Sequence, residues 1–110
     1  MFDELKRLLR DGFCDKVVVV EESGSCSLVY CGGRLPLLLA LAKWNEWFYV
    51  KAVAEKIVAA HMWHCSDIFY NPYGVYVFRT GEDEVVDALR EKEKYIVAQA
   101  RLAELRALGA

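Results

Sequence analysis

The sequence predicts an α+β fold: a four-stranded antiparallel sheet built from two hairpins, packed with helices, plus a long C-terminal helix. Three observations predict it. Residues at both ends show helical spacing of leucines and valines, two β-branched stretches flank glycine-bearing turns, and the apolar fraction suits one buried core. At 110 residues the chain is long enough to fold unaided around a single core.

Residues 2–11 read as an amphipathic helix, with Leu5, Leu8 and Leu9 on one face and Gly12 as the stop. Val17 to Val20 form a β-branched run, and Ser23-Gly24-Ser25 turns it back into Cys26 to Cys31, which gives a first hairpin. After Gly32-Gly33, Pro36 suits the first turn of a helix, and Leu37 to Trp44 is apolar on nearly all sides, as a buried helix would be. Asn45 caps a third helix, from Glu46 to about His64, although the alternation in Trp47–Val53 would also tolerate a strand. Ser66 to Tyr70 and Val75 to Arg79 read as a second hairpin around the turn Asn71-Pro72-Tyr73-Gly74. Within it Val75 and Val77 share the inward face, which leaves Tyr76 and Phe78 on the other.

From Glu82 one helix is expected to run to about Leu108. At ~26 residues it would be ~39 Å long, more than the ~26 Å width of a domain this size. Its end should therefore project. Tyr95, Ala98, Leu102 and Leu105 fall at coiled-coil spacing, which makes that end a candidate seam for a homodimer. The organisation expected is a compact binding domain, residues 1–81, and a C-terminal helix, residues 82–110, packed on it.

Composition bounds the function. No apolar run approaches the ~20 residues a membrane span needs, and the charged amphipathic start is unlike a secretory signal. The expectation is a soluble cytoplasmic protein. The four cysteines lack zinc-finger or CxxC spacing. They read as reduced and buried in a mesophile's cytosol, or as one of three disulfide pairings in a hyperthermophile's.

The informative stretch is Trp44 to Phe78. It holds ten of the fourteen aromatic residues, too many for one small core, and both histidines. Residues 34–79 carry five basic against three acidic side chains, while the flanking segments are each net acidic. Trp44 and Phe48 sit among apolar neighbours and are assigned to the core. Trp47, Tyr49, Trp63, Phe69, Tyr73, Tyr76 and Phe78 are candidates for stacking on unpaired bases, and Arg34, Lys43, Lys51, Lys56 and Arg79 for contacting phosphates. The same rings would equally suit a protein partner, in a small dimeric scaffold or accessory subunit.

Catalytic signatures are weak. His61 and His64 lie three apart, whereas zinc-binding helical pairs sit four apart with a third ligand elsewhere. Cys65 beside His64 lacks the geometry of an activated thiol, and Gly32-Gly33-Arg34 reads as a plain turn. No enzyme and no cofactor is expected, and a metal-dependent enzyme at His61 and His64 ranks third among the readings.

The WNEWFY and IFYNPYGVYVF runs, the basic residues Lys43, Lys51, Lys56 and Arg79, and the EKEKYIVAQARLAELRAL segment together resemble the ThermoDBP-type single-stranded DNA-binding proteins of hyperthermophilic archaea. The resemblance implies a cleft without an OB fold, lined by hydrophobic side chains and rimmed by basic ones. It also implies dimerisation through a C-terminal leucine zipper, of which this chain holds about two heptads. On this basis the expected function is non-enzymatic single-stranded DNA binding with little sequence preference.

Overall fold

A computed structural model describes residues 1–109. The chain is α+β, but its sheet has five strands rather than four, all antiparallel, in the simple order β1-β2-β3-β4-β5. Helix α1 (Asp3–Gly12) leads into β1 (Lys16–Ser23), β2 (Cys26–Gly32), β3 (Leu37–Trp44) and β4 (Trp47–Ala54). Two short helices follow, α2 (Glu55–His61) and α3 (Cys65–Ile68), then β5 (Val75–Arg79), α4 (Glu82–Glu91) and α5 (Glu93–Leu108).

The two helices expected between Leu37 and His64 are mostly a hairpin. Leu37–Ala42 is apolar throughout because β3 lies mid-sheet and is covered on both faces along most of its length, and such a strand shows no alternation. The β3–β4 turn has two residues, with Trp44 paired to Trp47. Asn45 takes φ of 54°, a left-handed conformation that asparagine tolerates better than most residues. Only Glu55 to His61 of the third expected helix is helical. The first hairpin stands as read, and Gly24 supplies a φ of 58° at its turn. The second does not: Cys65–Ile68 forms α3, and β5 pairs with β4 instead.

One sheet face carries Val29, Leu39, Leu41, Val50 and Val77, all fully or almost fully buried. Helices α1 and α4 cover it with Leu5, Leu9, Val85 and Leu89. The disulfide Cys14–Cys31 ties the end of α1 to this face. On the opposite face α3 packs over β1, β2 and β3, pinned by Cys26–Cys65. The single long C-terminal helix breaks at Lys92, and α5 folds against β4 and α2 through Ile96 and Ala100. Its end does not project: Ala103 and Ala107 also pack on the core, and the molecule measures 38 × 28 × 21 Å. No helix among the described residues is long and apolar enough to cross a membrane.

Candidate nucleic-acid interface

The register of the sheet assembles an aromatic surface row by row. Residues paired across antiparallel strands point to the same face. Trp44 pairs with Trp47, Ala42 with Tyr49 and Tyr49 with Phe78, and Ala40 with Lys51 and Lys51 with Tyr76. These three rows lie on the face where α3 packs over β1, β2 and β3; Ala40 and Lys51 are buried there, and the rows open to solvent at Trp44, Trp47, Phe78 and Tyr76. The rings touch: Trp47 and Phe78 centroids are 5.9 Å apart, and Tyr49 stacks on Phe78 at 6.0 Å. Trp44 is 71% exposed, and Trp47, Tyr76 and Phe78 are exposed as well. As the alternation in β5 predicts, Val75 and Val77 are buried and Tyr76 and Phe78 are not.

The segment after α3 completes the surface. Phe69 stacks on Tyr76 at 6.0 Å, and the Tyr76 hydroxyl donates to the Phe69 carbonyl at 2.6 Å. Burial, with a smaller contribution from Tyr70, pushes the Tyr76 phenol above its ordinary pKa and so keeps the donor proton in place. Asn71 holds the next turn, its Oδ1 accepting from the Tyr73 amide at 2.8 Å.

Lys51 organises this corner. It is 2% exposed, and its ammonium donates to the carbonyls of Ile68 at 2.7 Å and Asn71 at 2.6 Å. The same Nζ lies 4.9 Å from the centre of the Tyr76 ring. No carboxylate pairs with it among the described residues, and desolvation lowers its pKa from the ordinary 10.5. Lys51 is therefore a buried brace between β4 and the α3–β5 segment, which corrects its expected place on a basic rim.

Five further residues also stand elsewhere than expected. Trp44, assigned to the core, is the most exposed tryptophan, whereas Phe48 is buried as expected. Lys43 pairs with Phe48 and Phe48 with Arg79, so both cations lie on the reverse face at the same end of the sheet, with the Lys43 ammonium 4.8 Å from the centre of the Phe48 ring. Arg34 sits in the β2–β3 turn, at the opposite end of β3, about 25 Å away for an eight-residue strand. Lys56, in α2, belongs to that distant end and lines a shallow cavity with Leu35 and Arg101.

Trp63 and Tyr73 form a second cluster. Trp63 stacks on His61 at 4.4 Å and on Tyr73 at 6.3 Å, separate from the rings of β4 and β5. His61 Nδ1 lies 2.9 Å from the Ile57 carbonyl, and His64 Nδ1 lies 3.4 Å from a Glu21 carboxylate oxygen. The two histidines thus engage different partners. Among the described residues no three His, Cys, Asp or Glu side chains converge to hold a metal ion. Two exposed residues were missing from the expected site. Trp44 was recoverable from the spacing Trp-Asn-Glu-Trp, since a two-residue turn places both tryptophans on one face. Tyr70, which is 89% exposed, had no distinguishing signal.

No family model, no curated protein and no solved structure matches the chain.

Proposed function

We propose that the protein binds single-stranded nucleic acid, DNA in the first instance, without enzymatic turnover and with little sequence preference. The observation that carries this reading is the open row of Trp44, Trp47, Tyr49, Tyr76 and Phe78 on one sheet face. Every base has a π-face, so stacking on such rings tolerates any sequence, at about 1–3 kcal/mol per base. Lys43 and Arg79, at the margin of the same sheet end, are the cations nearest in register for the backbone. The plan-level resemblance to ThermoDBP-type proteins supports the same reading.

Two marginal cations make the electrostatic contribution small. For single strands each neutralised phosphate contributes about −0.7 to the slope of log affinity against log salt, so two contacts at most predict a slope no steeper than about −1.4. The paucity of cations on the ring-bearing face favours a second reading, in which the platform receives a protein partner, as interface tyrosines and tryptophans do.

Fluorescence anisotropy of a labelled oligothymidine strand separates the readings. Binding with that shallow salt slope, weakened by about 1–3 kcal/mol in Trp47→Ala, is the expected result. Absence of binding by the folded protein at low salt would refute the nucleic-acid reading and leave the protein-partner one.

A further inference from the structure

The outer edge of the sheet is open at β1. On the side away from β2, the backbone groups of Lys16 to Val19 have no hydrogen-bond partner among the described residues. Val18, Val19 and Val20 are 43%, 46% and 56% exposed. A run of exposed valines along an unpaired edge is what soluble proteins ordinarily avoid with charges, prolines or covering segments. Here the protection is concentrated at one end, where the ladder is irregular between Val19 and Glu21 and Lys6 binds Glu22 at 2.6 Å. The half from Lys16 to Val19 has only the charge of Lys16 at its start.

We infer that β1 is an interface for a second copy of this chain, which adds its own β1 antiparallel to form one continuous sheet. The strand's charges select that occupant. β1 begins with a cation, Lys16, and ends with carboxylates, Glu21 and Glu22. An antiparallel copy reverses this order. With Val18 opposite Val18 of the second copy, Val17 meets Val19 and Lys16 meets the irregular Val20–Glu21 step. Lys16 and Glu21 project on the same face, through their pairings with Gly32 and Leu28, so the two-fold axis brings each Lys16 to the side of the sheet that carries the other copy's Glu21. A parallel copy would set cation against cation and carboxylate against carboxylate. The isologous arrangement is the commonest symmetry of homo-oligomers. This edge lies four strand spacings, about 19 Å, from β5, so the inference stands apart from the ring platform and from the α5 seam.

Sedimentation velocity over a range of concentrations tests it. The native chain should shift from monomer to dimer as concentration rises. Val18→Lys/Val20→Lys, which alters only exposed side chains, should remain monomeric with an unchanged circular dichroism spectrum. Lys16→Glu, equally exposed, should weaken the dimer at least tenfold and guards against misfolding of the valine variant. Leu102→Asp/Leu105→Asp should dimerise as the native chain does. A native chain monomeric at every concentration would overturn the inference. So would a dimer unaffected by Lys16→Glu, or one abolished by the leucine changes alone.

Discussion

At the scale of single residues, Lys51 exerts the widest influence. A buried ammonium without a counterion is costly, and this one is offset by two carbonyls and a ring face rather than by a carboxylate. Because its folded pKa is depressed, the unfolded chain binds the proton more tightly. Stability should therefore rise with pH across the window from that lowered value up to 10.5, and fall back as pH drops through it. Chemical denaturation of the native chain and Lys51→Met in that window should give a steeper rise for the native chain. Equal slopes would show that Lys51 titrates normally. The variant also leaves the Asn71 carbonyl without its donor, at a cost of about 1–3 kcal/mol. The Ile68 carbonyl keeps a bond from the Asn71 amide at 2.8 Å. Since Phe69 and Tyr76 are held by this corner, Lys51→Met should weaken oligothymidine binding although Lys51 itself is buried.

Among the elements, α3 is the least self-sufficient. It has four residues, and it holds its place through the Cys26–Cys65 disulfide, a bond from the Cys65 amide to Glu21 at 3.2 Å, and the buried Ile68. Chain-entropy arithmetic gives about 4 kcal/mol for a link spanning 39 residues and about 3 kcal/mol for the 17-residue Cys14–Cys31 link. Cys26→Ser/Cys65→Ser should lower the denaturation midpoint more than Cys14→Ser/Cys31→Ser, and only the former should also release Phe69 and change near-ultraviolet circular dichroism from the Tyr76 stack. The reverse ranking would contradict the assigned role of α3. The elements also show what was legible beforehand. α1 and β5 carry their periodicity openly, because each has one solvated side, and β1 and β2 are marked by a run of valines and a glycine turn. β3 does not, being apolar on both faces, and the Asn45-Glu46 turn lacks the glycine that usually marks a two-residue hairpin. The break at Lys92 falls in an uninterrupted helical pattern, and only packing of Ile96 and Ala100 against the sheet accounts for it. Misreading β3 and β4 as helices hid the register that assigns Trp44 to the platform, buries Lys51 and turns Lys43 away.

For the whole molecule, the unequal covering of the two sheet faces is the organising fact. α1 and α4 enclose one face, while on the other α3 packs over β1, β2 and β3 and leaves Trp44 and Trp47 at the β3–β4 turn and Tyr76 and Phe78 of β5 exposed. The rings there form a surface with few cations, so the molecule should discriminate by stacking rather than by charge. Tryptophan emission tests this claim most directly, and Trp63 can be removed from the signal because it stacks on His61 and Tyr73 away from the platform. In a Trp63→Phe variant, emission then comes from Trp44 and Trp47 alone. Titration with oligothymidine should quench that emission saturably, with affinity falling only gently as salt rises. Undiminished emission from the folded variant at low salt would contradict the account.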